Sequence, residues 1–190
     1  MDGLINSKVK NARGIPQAPF VEKVEDYVKN PSDFEQVMTV FQERLQQYKY
    51  MEQSKLNSVK QFKKKIPEIE ETLKMVEVLK AKNEAQESLE TNYQLNDTLF
   101  TTAEIEPTDK VLLWLGADVM LEYPVDEAIE LLQDRLNTAK SNLLISEEDA
   151  EFLRENITTM EVNTARLYNW DVERRKNVRL AEEGTKNLKI

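Results

Sequence analysis

Apolar residues recur along this chain in two long stripes of three- and four-residue steps, separated by a shorter stretch that alternates. The second stripe is the cleaner. Ile129, Leu132, Leu136, Ala139, Leu143, Ser146, Ala150, Leu153, Ile157, Met160, Thr164, Leu167 and Asp171 follow strict alternating steps of three and four, and ten of these thirteen are apolar. A repeat of 3.5 residues keeps a narrow seam against a neighbouring helix, so six unbroken heptads require a partner along their length.

The first stripe begins with Phe41, Leu45 and Tyr48 and continues through Val59, Phe62, Ile66, Ile69, Leu73 and Val76. Between Tyr48 and Val59 the phase slips through Met51 and Leu56, the pattern of a stutter. Pro67 removes one backbone donor and predicts a kink rather than an end. Ser32, with Glu35 three residues on, is the predicted N-cap of the first helix, and Asp126 that of the second. The spacing predicts helices over 33–90 and 126–180, each of roughly 55 residues or ~80 Å at 1.5 Å per residue. Helices of equal length joined by a compact insert fold back on one another most economically as an antiparallel hairpin.

The insert, 93–123, changes period. Tyr93, Leu95, Leu99, Ala103 and Ile105 all fall on odd positions, interrupted by a turn at Asn96-Asp97-Thr98. After a second turn at Glu106-Pro107-Thr108-Asp109 comes Val111-Leu112-Leu113-Trp114-Leu115, apolar on both faces. Gly116-Ala117-Asp118 turns the chain, and Val119, Leu121 and Tyr123 alternate out again. Four short strands in two β-hairpins are predicted. Such hairpins are marginal alone and their open edges invite pairing with another chain. A strand apolar on both faces needs cover on both, so an oligomer joined through the strands is expected. Leu95, Leu99, Leu113, Trp114, Leu115, Val119 and Leu121 are the candidate subunit interface. Trp114, between two leucines, reads as a core or interface residue before a ligand-stacking one.

The opening segment, 1–32, starts irregular, with Gly14, Pro16, Pro19 and Pro31. Within it Phe20, Val21, Val24, Tyr27 and Val28 predict a short amphipathic helix between Pro19 and Pro31. Residues 181–190 form a tail.

Composition narrows function more than fold. The 190 residues include 32% charged and 7% aromatic side chains, and only four glycines, where an average domain spends about 7% of its positions on glycine. Few glycines mean few tight turns and long elements. Cysteine and histidine are absent, which excludes disulfides, thiolate or imidazole zinc sites and His-based nucleophile systems. No glycine-rich phosphate loop occurs, so no cofactor and no catalytic residue is assigned, and the chain is not read as an enzyme. A net charge of −9 argues against general nucleic-acid binding, which relies on clustered cations. The basic tracts Lys63-Lys64-Lys65 and Arg174-Arg175-Lys176 read as solvated helix faces. So do the carboxylates Glu147, Glu148 and Asp149, because consecutive helical positions point in different directions. The polar N-terminus is no signal peptide, and no apolar run approaches the ~20 residues that span a membrane. Cytosol is the default, where the glycosylation-like Asn96-Asp97-Thr98 and Asn156-Ile157-Thr158 are chance matches.

Where the first helix begins and the second ends, apolar residues exceed what a seam needs. Phe20, Val24, Met38, Phe41, Tyr48, Met51, Tyr168 and Trp170 are the candidate contact surface, since surplus apolar groups on a solvated helix mark binding and adaptable methionines suit a promiscuous site. The competing reading has them close the coil end and pack on the N-terminal segment through Phe20 and Val24.

Several motifs carry a resemblance. Gly14-Ile15-Pro16-Gln17-Ala18-Pro19-Phe20, Tyr48-Lys49-Tyr50-Met51-Glu52, Ile66-Pro67-Glu68-Ile69 and Asp109-Lys110-Val111 occur in order. So do Leu113-Trp114-Leu115-Gly116-Ala117-Asp118-Val119-Met120-Leu121-Glu122-Tyr123, Asp149-Ala150-Glu151-Phe152-Leu153-Arg154 and Arg166-Leu167-Tyr168-Asn169-Trp170-Asp171-Val172. In these the chain resembles the α-type subunits of the prefoldin family. The resemblance implies a mainly α fold whose strands join an oligomeric β-barrel platform. It further implies a cytosolic hexamer of two α-type and four β-type subunits with six coiled coils. Their tips would hold unfolded actin and tubulin without nucleotide hydrolysis and deliver them to the cytosolic chaperonin. A coiled-coil scaffold or tether that binds no client is the alternative.

Overall fold

A computed structural model describes residues 9–187, with side chains through residue 181. Two long helices, α1 (Phe34–Ala85) and α2 (Val125–Asn187), enclose four strands: β1 (Leu89–Asn96), β2 (Leu99–Ile105), β3 (Lys110–Gly116) and β4 (Val119–Pro124). The chain divides into two compact units. One holds the residues up to Asn57 with those from Ser146 on, the other Ser58–Ile145.

The heptad reading of α2 holds at every position: none of its thirteen seam residues is exposed. In α1 the predicted stutter is not there. Leu56 is exposed, and the seam continues in strict steps from Tyr48 through the half-buried Glu52 and Lys55 to Val59. Two polar residues hold seam positions, which hid the repeat from an apolar count. Pro67 lies inside the helix without ending it.

In the second unit, Leu73 and Val76 of α1 pack with Val125, Ala128, Leu132 and Leu136 of α2. Ion pairs Glu70–Lys140 and Lys80–Asp126, both 2.7 Å, bridge the two helices in antiparallel register at the surface. α1 ends at Ala85, earlier than predicted. Gln86 adopts φ 54°, Glu87 N–H donates to Lys82 O at 3.0 Å, and Gln86 N–H to Asn83 O at 3.1 Å. This is a Schellman stop, which usually carries glycine; with glutamine there the sequence gives no signal. Asp126 is not the N-cap of α2. β4 runs straight into Val125, whose N–H donates to Asp109 O at 2.9 Å, and Asp126 lies in the first turn, favourable to the helix dipole.

The strands form two separate antiparallel hairpins, β1–β2 and β3–β4. Asn96 Oδ1 accepts from the N–H groups of Thr98 and Leu99 at 3.0 Å and shapes the first turn. Ala117 and Asp118 both have positive φ, the two-residue hairpin geometry that matches strand twist.

In the first unit the predicted helix between Pro19 and Pro31 is absent. Residues 9–23 are non-helical, a single 3-10 turn covers Val24–Asp26, and another, Pro31–Asp33, leads into α1. Ser32 does not cap; its hydroxyl bonds to Asp33. Val21, Val24 and Val28 are nonetheless buried. They pack with Phe34, Val37, Phe41 and Tyr48 of α1 and Leu153, Ile157, Met160 and Leu167 of α2. The antiparallel register here is fixed by Lys49–Glu161 at 2.8 Å and Lys55–Asp149 at 3.0 Å.

Candidate binding surfaces

β1–β2 has one mainly apolar and one mainly polar face, whereas β3–β4 is apolar on both and its faces differ in burial. Register pairs Leu89 with Ile105, Thr91 with Ala103 and Tyr93 with Thr101, with a bulge between Gln94 and Asn96, so these positions and Leu99 share one face. Tyr93, Leu99 and Ile105 on it are exposed, and so is Leu95 at the bulge beside the turn. In β3–β4, Leu113 pairs with Leu121 and Trp114 with Met120. Leu113 is buried against α1 and α2, with Val111 and Tyr123 beside it. On the opposite face Leu112, Trp114 and Met120 stand 62%, 56% and 49% exposed, framed by the Lys110–Glu122 ion pair.

Among the candidate interface residues, Leu95, Leu99, Trp114, Val119 and Leu121 are therefore exposed, whereas Leu113 is occupied within its own chain. Leu115, half-buried, lines a recess with Phe62, Ile69 and Leu132. Leu112 and Met120, which the sequence reading did not single out, complete the outer apolar face of β3–β4.

The candidate contact residues of the first unit separate. Phe41 and Tyr48 are fully buried, and Val24 nearly so. Met38, Met51 and Trp170 are half-buried against the same core. Phe20 and Tyr168 are exposed, Phe20 beneath the Arg166 guanidinium at 4.5 Å. What closes the core is the N-terminal segment itself, held by a ladder on α2. Asp149, Asn156, Asn163 and Trp170 recur every seven residues, each beside a seam position.

Asp149 is fully buried, contrary to its reading as solvated charge. It accepts from Asn11 Nδ2 and Arg13 Nε and pairs with Lys55. Asn156 Oδ1 accepts from Ala18 N–H. Asn163 Oδ1 accepts from Val21 N–H at 2.9 Å, while its Nδ2 donates to Pro19 O at 2.7 Å. Trp170 Nε1 donates to Glu25 Oε1 at 2.9 Å. From Asp149 to Trp170, α2 rises ~32 Å at 1.5 Å per residue; residues 13–25 as a helix would span only ~18 Å. The segment must be extended to reach every rung, which is why its valines do not make the predicted helix. The sequence signal was the seven-residue spacing of Asp149, Asn156 and Asn163. The basic tract Arg174-Arg175 is also partly engaged: both arginines pair with the buried Asp171.

Burial pushes the Asp149 carboxyl up, but the hydrogen bonds and charges of Arg13 and Lys55 outweigh it and hold it below the ordinary carboxylate range. A depressed folded value stabilises the fold above the unfolded pKa and is lost as pH falls through the folded one. In a Trp114→Phe chain, Trp170 emission should therefore stay constant from neutrality to about pH 5 and change only below the ordinary Asp value of ~3.9. Asp149→Asn should displace the emission already at neutral pH.

Paired helices that carry two hairpins with open edges and bare apolar faces define a subunit, a chain completed by others. Residues 48–170 match the family model described as Prefoldin subunit. The chain is 58% identical to Prefoldin subunit 3 of Saccharomyces cerevisiae over the full length of both. It is 46% identical to Prefoldin subunit 3 of Homo sapiens, over 92% of this chain and 87% of that one. A cryo-EM structure of filamentous PFD from Methanocaldococcus jannaschii shares the fold, with a TM-score of 0.51 at 16% identity, covering 64% of this chain and 98% of that one. The chain belongs to the prefoldin family. Its relatives named subunit 3 come from fungi and animals, the branch that the sequence motifs also resemble most. Among the described residues no helix is long and apolar enough to cross a membrane.

Proposed function

We propose that this chain is an α-type subunit of a cytoplasmic prefoldin hexamer, assembled with one further α-type and four β-type subunits. It captures unfolded proteins without ATP or any cofactor and passes them to the cytosolic chaperonin, with actin and tubulin as the client class. The observation that carries the reading is the pair of hairpins with exposed apolar faces, which suit a shared strand platform. Client contact in the resting chain falls on Phe20 and Tyr168, because Phe41 and Tyr48 lie beneath the N-terminal segment and Val24, within that segment, is turned into the same core. That closure favours the second reading, a scaffold subunit that holds the platform and leaves clients to its partners.

Light scattering separates the two. A denatured client diluted into the purified complex without nucleotide should aggregate less, and Phe20→Ser with Tyr168→Ser should weaken the protection at unchanged assembled mass. Full protection by the altered complex leaves this chain the scaffold role.

A further inference from the structure

The N-terminal segment is clamped at its ends by charge, through Arg13 on Asp149 and Glu25 on Trp170. Between the clamps the polar contacts go to its main chain. Tyr48 Oη donates to Pro16 O at 2.9 Å, Asn156 accepts from Ala18 N–H, Asn163 bonds both Pro19 O and Val21 N–H, and Arg166 donates to Val21 O at 2.8 Å. Asn156 is held in place by its own donation to Phe152 O at 2.7 Å. A side-chain amide offers both a donor and an acceptor, so it can bond any peptide unit. Main-chain recognition gives affinity with little regard to sequence, and sockets for selected side chains supply the rest. The sockets here are apolar and take Val21 and Val24.

We infer that the groove lined by Phe41, Tyr48, Leu153, Met160 and Leu167 is a peptide-binding site. This chain's own residues 15–28 occupy it at rest, and an extended apolar segment of a non-native protein takes their place. The seated segment shows what fits: a non-helical backbone through Lys23 that ends in one 3-10 turn at Val24–Asp26, with mainly small or β-branched apolar residues and Tyr27 against Phe41. Prolines are accepted, since proline brings no N–H that needs an acceptor. The inference rests on the holding reading and deepens it by naming the site and the form of the client. A tethered occupant competes at an effective concentration in the millimolar range. A weak peptide therefore finds the groove closed, while a client held at several points can displace the strap.

The test uses the assembled complex and two fluorescein-labelled peptides read by anisotropy. One is residues 11–28 of this chain; the other is unrelated in sequence but keeps valines at the spacing of Val21 and Val24. Val21→Ser with Val24→Ser loosens the strap and spares the groove, so the altered complex should bind both peptides about tenfold tighter or more. Adding Asn156→Leu and Asn163→Leu should remove that gain. An assembled, loosened complex that binds neither peptide, or only the chain's own sequence, overturns the inference, the latter by marking a dedicated latch. On the unmodified complex, valine peptide raised to several millimolar, above the strap's effective concentration, should speed hydrogen exchange at the Ala18 and Val21 amides at least severalfold; no change at that concentration overturns it without any variant. Peptide binding by a complex that fails to suppress aggregation would end the holding reading and leave the groove standing.

Discussion

With Leu112 and Trp114 both replaced by aspartate, the chain is expected to keep its helix content and leave its complex. Both side chains point away from α1 and α2, on the exposed face of β3–β4, so within the chain the change meets mainly solvent. In an assembly that covers this face the same carboxylates lie in an apolar interface, where an unpaired charge is costly enough to shift its pKa or break the contact. Leu113→Asp is the contrasting case. Leu113 is 7% exposed, against Leu73, Val76 and Leu132, so its replacement should reduce helix content as well as assembly. Native mass spectrometry beside circular dichroism reads both effects. An intact hetero-oligomer from the Leu112→Asp, Trp114→Asp chain would show that this face is not the interface.

The neighbouring positions 112 and 113 also show what the sequence made legible and what it did not. The sequence showed that β3 is apolar on both faces and pooled Leu113, Trp114 and Leu121 as one interface. It did not say which face the chain's own helices cover. Period two reports that a strand has sides, and only the docking of the hairpin on α1 and α2 assigns them. The seam of α2 was legible throughout, because a heptad repeat is its own evidence of a partner. The seam of α1 was partly masked by Glu52 and Lys55, polar residues at apolar positions, one of which answers the buried Asp149. The strap was the least legible element. Its valines have helical spacing, yet its conformation is imposed by rungs more than a hundred residues away. The end of α1 at Gln86 was invisible for a simpler reason: the left-handed residue is not a glycine.

The seam itself carries the other large effect. Leu153 is fully buried in the first unit, in one core with Phe41, Tyr48, Met160 and the strap valines. Leu153→Ala removes three heavy atoms from a closed packing of two helices and an extended segment. Neither the helices nor the tethered strap can collapse fully into the space, so the loss combines transfer and cavity contributions, about 2–5 kcal/mol. Glu151, two residues earlier, is exposed on the same helix, and Glu151→Ala should shift stability by less than about 0.5 kcal/mol. Because the lost contacts include the strap's sockets, Leu153→Ala should also speed hydrogen exchange at the Ala18 and Val21 amides more than at amides of α2 in the second unit, such as Leu132. Thermal unfolding followed by circular dichroism measures the first effect and site-resolved exchange the second. Equal destabilisation by Leu153→Ala and Glu151→Ala would mean that the seam does not run through Leu153. A large loss with unchanged strap exchange would mean instead that the strap is held by its polar rungs alone.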